Sequence, residues 1–242
     1  GFINKTVRFF IHKIERKCYR SCTKLVFLSK EMKEQAKELY ALQEIKLEVQ
    51  YPFITIKDKQ TDDLEHLFDK NKRHVVYSGA LGEKQNPETL FNFFDQAALS
   101  TENIIFHFFS RGDTFNRLKK INTNSKIHFH GLVEKEYLEE LYHKSDVQII
   151  PQKEGTSKGS MPSKLPNLLA SNCKVFLITE DNSELEIFFK KNNLDFVVTN
   201  WNIKELINSI QILIDKPVDF NNQKRVANNF FTIDKMILKL LR

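Results

Sequence analysis

Between Val75 and Val198 the chain alternates short apolar runs with longer amphipathic segments, and this alternation restricts the possible folds more than any other feature. The apolar runs have the length of buried strands and occupy Val75–Tyr77, Ile104–Phe108, Ile127–Phe129, Val147–Ile150, Val175–Ile178 and Phe196–Val198. The segments between them have helical spacing and occupy Pro87–Ala98, Asp113–Ile121, Glu134–Lys144, Lys164–Ser171 and Ser183–Asn192. Strands that alternate with helices predict an α/β fold, in which a parallel sheet carries helices on both faces.

Residues 1–56 follow the same alternation but are too few to enclose a core. Their pattern predicts two helices and two strands, at Asn4–Tyr19, Leu25–Leu28, Ser29–Leu42 and Lys46–Gln50. Because a pair of strands is seldom stable alone, we expect this segment to be the tail of a larger domain. A charged linker with a short helix is expected at 57–73, and helices at Ile203–Ile214, Asn222–Asn229 and Ile233–Leu241 are expected to finish the chain.

The predicted helix at Asn4–Tyr19 is amphipathic and basic. Val7, Phe10 and Ile11 recur at helical spacing, while lysines and arginines occupy the other side. This pattern is typical of a solvated helix face and also of a helix that lies on a membrane surface. The sequence leaves both interpretations open.

The composition narrows the classes of partner. A formal net charge of +6 suits an anionic substrate or the anionic inner face of a membrane. It would also suit nucleic acid, but no basic block with interleaved aromatic residues is present, so we expect no nucleic-acid partner.

Three cysteines without a disulfide framework favour a reducing compartment. No run approaches the ~20 apolar residues of a membrane span, and no signal-like run follows Gly1. We therefore expect a cytoplasmic protein.

Ligands of open parallel sheets bind beyond the carboxyl ends of the strands, so the loops at those ends are the first to inspect. The loop after Val75–Tyr77 contains Gly79, Gly82 and Lys84. The glycines allow a close approach of the backbone to a ligand, and the lysine could reach a phosphate. This loop lacks the third glycine of the dinucleotide fingerprint and is not a P-loop.

Two histidines lie where the strand Ile127–Phe129 ends. His128 and His130 are two residues apart and therefore share one face of the strand. Metal ligation would need a third partner, and none is evident in the sequence, so packing or hydrogen bonding is favoured and no metal site is predicted. His130 could contact a ligand from the following loop.

The loop after Val147–Ile150 carries Glu154, Gly155, Lys158, Ser160, Ser163 and Lys164 ahead of the short helix Lys164–Ser171. Ser163 is predicted to cap this helix. A cation such as Lys164 is unfavourable at a helix start unless an anion lies nearby, which indicates a phosphate site. The alternative is an ordinary capped helix with a solvated lysine. Several such loops at one sheet edge favour a nucleotide or sugar-nucleotide pocket.

Three runs of this sequence resemble family 4 glycosyltransferases, which have the GT-B fold. GALGEKQNPETL resembles the opening of their donor-binding domain, and IHFHGLVEKEYLEELYHKSDVQIIPQKEG resembles their middle signature. MPSKLPNLLASNCKVFL is similar to a bacterial capsule and exopolysaccharide branch with a Pro-Ser-Lys-Leu motif. The resemblance covers about residues 20–240. It implies that 74–215 is a Rossmann-like donor-binding domain and that 1–56 is the end of a second, acceptor-binding one. It also implies that the C-terminal helices of 216–242 cross back over the cleft.

The resemblance also assigns roles to residues. Lys84 matches the lysine that holds the donor diphosphate, and its usual arginine partner falls at Ala80, a gap that Ser163 and Lys164 would fill. Glu154 matches the first glutamate of the family's E-x7-E motif, which contacts the donor sugar. The second glutamate, a ribose ligand, aligns with Asn167. Catalytic roles are thus expected for Glu154, Lys84 and Lys164, and donor contacts for Gly79, Gly82, His130, Gly155, Ser163 and Asn167.

The implied activity is retaining transfer of a sugar from a nucleoside diphosphate to a polysaccharide or lipid-linked acceptor. The resemblance implies no cofactor and no obligatory metal. The chain alone is expected to be inactive, because most of the acceptor domain is missing. A non-catalytic nucleotide-sugar-binding subunit with a separate acceptor-domain partner is the alternative. Peripheral contact with the inner membrane face is a further expectation.

Overall fold

The computed structural model describes residues 5–56, 61–157, 159, 161–171, 173–194 and 196–241, which form two separate parallel sheets. A small unit consists of α1 (Lys5–Ser21), β1 (Leu25–Phe27), α2 (Lys30–Tyr40) and β2 (Leu47–Val49). The main unit consists of β3 (Arg73–Ser78), α3 (Pro87–Ser100), β4 (Ile104–Phe109), α4 (Asp113–Ile121), β5 (Ile127–His130), α5 (Leu138–Lys144), β6 (Val147–Pro151), α6 (Leu165–Ala170), β7 (Lys174–Ile178), α7 (Glu184–Lys191), β8 (Val197–Val198), α8 (Ile203–Asp215), α9 (Phe220–Phe230) and α10 (Ile233–Leu241).

The main sheet has the strand order β5-β4-β3-β6-β7-β8, with every neighbouring pair parallel. The apolar sides of α3, α4 and α8 cover one face, and those of α5, α6, α7 and α9 cover the other. The predicted α/β fold, with a parallel sheet between two layers of helices, is therefore confirmed. The chain starts at the centre of the sheet, extends to one edge and then returns to build the other half.

The central strands are continuous apolar runs because both of their faces are covered. Val75 and Val76 point to opposite faces of β3, and neither is exposed to solvent. On the first face phenylalanine rings supply much of the packing. Phe94 of α3 has its ring centroid 4.9 Å from that of Phe106 and 4.7 Å from that of Phe108.

The segment predicted as a charged linker is partly packed. Residues 57–60 lie outside the described residues, and a single 3₁₀ turn follows at Glu65–Leu67. Phe68 is only 7% exposed and lies against His74 and His107, with ring centroids 5.0 and 5.1 Å away. Arg73 already belongs to β3. Part of the segment predicted as a linker therefore packs on the main sheet, because the ring of Phe68 docks against β3 and β4.

Helix α6 begins one residue later than predicted, and its predicted cap is not formed. Lys164 occupies the N-cap position without a side-chain cap, and Ser163 is exposed. A serine cap needs a free N–H two or three residues further on. Pro166 has no N–H, and the N–H of Leu165 donates to the carbonyl of Pro162 at 3.1 Å. The proline therefore removes the donor that Ser163 would have bound.

Glu184 joins the small unit to the main one. Its carboxylate accepts hydrogen bonds from the backbone N–H groups of Lys30 and Glu31, at 2.9 and 3.0 Å. It also accepts one from the Tyr51 hydroxyl at 2.9 Å, and burial of that ring raises the pKa of Tyr51 above its ordinary value. An acidic group is favourable at the N-terminus of α2. The contact fixes α2 against α7.

The outer face of α1 is apolar and uncovered by the described residues. Val7, Phe10 and Ile14 are 50%, 57% and 63% exposed. At the other end of the chain, the ammonium of Lys239 in α10 donates to the carbonyl of Val49 at 2.7 Å. The last helix thus returns to the small unit, while contact of α1 with a membrane stays a prediction.

Candidate functional site

The direction of the strand order reverses between β3 and β6, and this reversal creates the site. The two strands pair over only two positions, Val75 with Val147 and Val76 with Gln148, whereas β3 and β4 pair along their whole length. Beyond those positions β3 and β6 separate toward their carboxyl ends. Such a switch point is where open α/β sheets bind their ligands.

A cleft of ≈580 Å³ opens at this point. Its size lies in the range that is usual for small-molecule sites. The walls come from the loops after β3, β5 and β6, from α5 and from the start of α6. They include Ser78, Gly79, Ala80, Lys84, Gln85, Leu132, Leu138, Leu141, Tyr142, Pro151, Gln152, Thr156, Met161, Pro162, Ser163 and Lys164. The strand-end rule therefore leads to the observed cleft.

Lys164 lies at the base of the cleft and bridges the two separating strands. Its ammonium donates to the carbonyls of Ser78 at 3.0 Å and of Ile149 at 2.8 Å. It also lies 4.6 Å from the ring centroid of Tyr77, a cation–π distance. The charge that looked misplaced at the start of α6 is thus satisfied by the main chain and by an aromatic ring.

Burial lowers the pKa of Lys164 to about 7. A neutral amine has two N–H groups, and both carbonyl partners can use them. The protonated form has a third N–H, which neither of the two carbonyls binds. Binding of an anion in the cleft would favour that protonated form of Lys164.

Gly79 and Lys84 occupy the rim formed by the loop after β3. Gly79 has a φ of +130°, which side-chain-bearing residues rarely adopt, and its N–H donates to the carbonyl of Phe109 at 3.0 Å. Lys84 is exposed, and its carbonyl accepts a hydrogen bond from the N–H of Lys153 at 2.8 Å. This bond holds the loops after β3 and β6 together across the mouth of the cleft.

Glu180 fixes the loop after β6 and was missed by the sequence reasoning. Its carboxylate accepts hydrogen bonds from the N–H groups of Gly155 and Ser157, at 3.0 and 3.3 Å, and from the Ser157 hydroxyl. Gly155 has a φ of +76°. Glu180 follows the end of β7, so the strand-end rule would have found it had that loop been inspected.

The structure brings four of the nine sequence-predicted site residues to the described cleft: Gly79, Lys84, Ser163 and Lys164. The other five do not line it. Gly82 lies between lining residues on the rim, and Glu154 and Gly155 are exposed on the loop that Glu180 holds. Lys158 and Ser160 of that loop lie outside the described residues. The remaining two, His130 and Asn167, have their side chains engaged elsewhere.

Asn167 is 6% exposed and ties α6 to the segment after the small unit. Its side-chain oxygen accepts hydrogen bonds from the N–H groups of Thr55 and Ile56, at 2.8 and 3.3 Å. Its side-chain nitrogen donates to the Thr55 hydroxyl at 3.1 Å. The amide is therefore occupied by this chain itself, and the structure gives it a tethering contact where a ribose contact was predicted.

Replacing Asn167 with alanine is expected to lower the free energy of unfolding by about 1 kcal/mol, because the two N–H groups lose their acceptor and only partly regain water. Nucleotide affinity should stay unchanged. Chemical denaturation and a binding titration of the same variant separate the two roles. A weakened affinity with unaltered stability would restore the ribose role instead.

His130 packs behind the cleft wall. Its ring stacks on that of Phe109, a lining residue, with centroids 4.5 Å apart. His130 Nε2 lies 3.1 Å from His107 Nδ1, and His107 Nε2 lies 2.9 Å from His74 Nδ1. Burial, together with the neighbouring histidines, lowers the pKa of His130 to about 4 and that of His107 well below its ordinary value. The rings are neutral at physiological pH.

None of the helices in the described part of the chain combines the length and the apolar character that crossing a bilayer requires.

A family model and a known protein match this chain in sequence. Residues 58–230 match the family model described as glycosyl transferases group 1. A putative colanic acid biosynthesis glycosyl transferase, WcaI of Escherichia coli strain K12, is 30% identical over 138 residues. That match covers 55% of this chain and 33% of the relative, so this chain spans only a part of the relative's length.

Solved structures share the fold. A glycosyltransferase from Rickettsia africae superimposes with a TM-score of 0.73 at 18% identity, over 93% of this chain and 65% of that one. A TarM variant from S. aureus, solved with fondaparinux, α-GlcNAc-glycerol and UDP, gives 0.68 at 10% identity, over 95% of this chain and 45% of that one. At these identities the likeness shows the fold alone.

Proposed function

Because this chain belongs to the group 1 glycosyl transferases, we propose that its cleft binds the diphosphate of a nucleoside-diphosphate sugar. The observation that carries the proposal is Lys164, whose ammonium lies between the carboxyl ends of β3 and β6 at the reversal of the sheet. Lys84 contributes a second positive charge from the rim of the same cleft.

The proposed chemistry is electrostatic. When the bond between sugar and diphosphate breaks, negative charge accumulates on the leaving phosphate, and two cations fixed around it stabilise that charge. Neither lysine attacks the sugar. The described cleft holds the sugar near the leaving diphosphate. Transfer with retention of the anomeric configuration, without an obligatory metal, is part of the proposal.

Glu154 and the loop that carries it are proposed to lie beside the donor sugar. Thr156, two residues further on, lines the cleft, and Glu180 holds the backbone between Gly155 and Ser157. A sugar that extends out of the cleft from its diphosphate would pass this loop. The acceptor is proposed to be a growing surface polysaccharide or a lipid-linked glycan, in line with the 30% identity to the colanic acid relative.

All the lining residues of the described cleft lie between Tyr77 and Lys164, so the small unit contributes no wall to it. We therefore propose that this chain binds the donor but does not turn it over by itself. A binding subunit that works with a separate acceptor-domain partner makes the same prediction about binding. Sugar transfer by the purified 242-residue chain would rule out both the absence of turnover and the non-catalytic binding subunit.

The test is a thermal-shift panel with UDP, GDP, ADP and CMP, each in the presence of a chelator. A ligand at ~100 times its dissociation constant adds about 2.7 kcal/mol of stability, which is a visible shift. We expect one nucleoside diphosphate to raise the melting temperature, and the Lys84→Met variant to reduce that rise. Lys120→Met removes an exposed lysine of α4 and serves as the control. No shift with any nucleotide would overturn the proposal.

A further inference from the structure

Four histidines lie on one face of one half of the main sheet. His107 of β4 is in register with His128 of β5, and Phe109 is in register with His130. His74 of β3 pairs with Ile105, which lies on the same side of β4 as His107. The pleat therefore points all four imidazoles the same way, although they come from three different strands.

Three of these side chains are close enough to share one ion. One ring nitrogen of His107, one of His128 and one of His130 all lie within 4.8 Å of one another. His107 Nδ1 and His130 Nε2 are 3.1 Å apart. Two nitrogens that each bind a tetrahedral Zn²⁺ at ~2.0–2.1 Å are separated by roughly 3.3–3.4 Å. A small movement of the rings is sufficient to admit the ion.

Hydrogen bonds to main-chain carbonyls already orient the rings. His74 Nε2 lies 2.9 Å from the carbonyl of Asp69, which can only accept, so a neutral His74 ring would carry its lone pair on Nδ1. His107 Nε2 must then donate to that nitrogen, which leaves the lone pair of His107 on Nδ1, the atom that faces His130. His128 Nε2 likewise donates to the carbonyl of Ser125 at 3.0 Å and leaves its own Nδ1 with a lone pair.

This arrangement is typical of metal-binding histidines, which donate their second N–H to a carbonyl or another polar group. His107 is fully buried, whereas His128 and His130 are half-buried on β5, the edge strand of the sheet. Because β5 is the edge strand, an ion could reach the histidines from solvent, and a water molecule would serve as its fourth ligand. Neutral imidazoles suit zinc and the neighbouring transition metals rather than magnesium or calcium.

We propose that His107, His128 and His130 form a binding site for a transition-metal ion of the Zn²⁺ type. The sequence alone argued against a metal at His128 and His130 because the third ligand was not visible. That ligand is His107, which is distant in sequence and adjacent in the sheet. The ion would clamp β5 to β4 behind Phe109, outside the diphosphate cleft, so the proposal is independent of sugar transfer.

The test is a titration of the metal-free protein with Zn²⁺ alone. Cys18 and Cys22 are first replaced with serine, since these two thiols are four residues apart, near the end of α1 and just after it, and could bind zinc themselves. We expect one equivalent to bind and to raise the melting temperature. The His128→Gln variant should bind at least 100-fold more weakly. His143→Gln removes a histidine that is paired with Glu139 outside the cluster and should bind as tightly as the parent.

Equal zinc affinity in the His128→Gln variant and its parent would overturn the proposal, as would the absence of binding at millimolar zinc. If the variant does not fold, ring-nitrogen NMR of the unmutated histidines decides the question. Zinc should then move the ring resonances of His107, His128 and His130 and leave that of His143 in place. Movement confined to His143 or His12 would refute the assignment.

Discussion

Replacing Lys164 with methionine is expected to weaken binding of the nucleoside diphosphate by roughly 10- to 150-fold near neutral pH. This range corresponds to the loss of one charge-assisted hydrogen bond, about 1.5–3 kcal/mol. Methionine keeps the length and the apolar stem of the side chain, so it continues to pack on Tyr77. An isothermal titration of the parent and the variant measures the effect.

The affinity of the parent protein should also fall with rising pH. The pKa of Lys164 is lowered to about 7 by burial, and a bound diphosphate raises it again. Between those two pKa values the free protein has lost the proton that the complex keeps, so binding takes up a proton and the dissociation constant rises by up to tenfold per pH unit. The phosphates themselves contribute little above pH ~7, because their last pKa is about 6.

The methionine variant distinguishes the titration of Lys164 from the titration of other groups, since the affinity of this variant should not vary with pH in this range. The Lys120→Met variant should match the parent both in affinity and in the dependence of that affinity on pH. Because Lys164 also joins the carbonyls of Ser78 and Ile149, the melting temperature of the variant is measured first. A folded variant that binds as tightly as the parent would show that Lys164 only supports the sheet and that the anion binds elsewhere.

Replacing Phe94 with alanine is expected to lower the free energy of unfolding by about 3–5 kcal/mol. Phe94 is fully buried, and its ring lies between α3 and the rings of Phe106 and Phe108. The substitution removes a large apolar surface and leaves a cavity that rigid neighbours cannot fill. Urea unfolding gives the value directly.

Leu99 is the matched control for this substitution. It lies on the same helix, α3, and is 72% exposed. Leu99→Ala should change the free energy of unfolding by no more than about 0.5 kcal/mol. If Phe94→Ala cost as little as this control, the phenylalanine cluster would not be the main packing contact between α3 and the sheet.

The sequence determined the architecture and the location of the cleft. Every predicted strand of the main sheet coincides with an observed one to within about two residues, because apolar runs between helical segments are a local signal. The rule about strand ends likewise pointed to loops that line the observed cleft. In parallel sheets all carboxyl ends face one side, so Gly79 and Lys164 had to approach each other once the fold was right.

The tertiary structure alone decided what individual polar side chains bind. Asn167 reaches Thr55, Lys164 reaches Ser78, and His107 joins His130 from the neighbouring strand. Such partners are far apart in the sequence and leave no periodic trace in it. A buried polar group must find a partner wherever the fold supplies one. The choice between a ribose ligand and a tether, or between packing histidines and metal ligands, therefore depends on distances that only the folded chain defines.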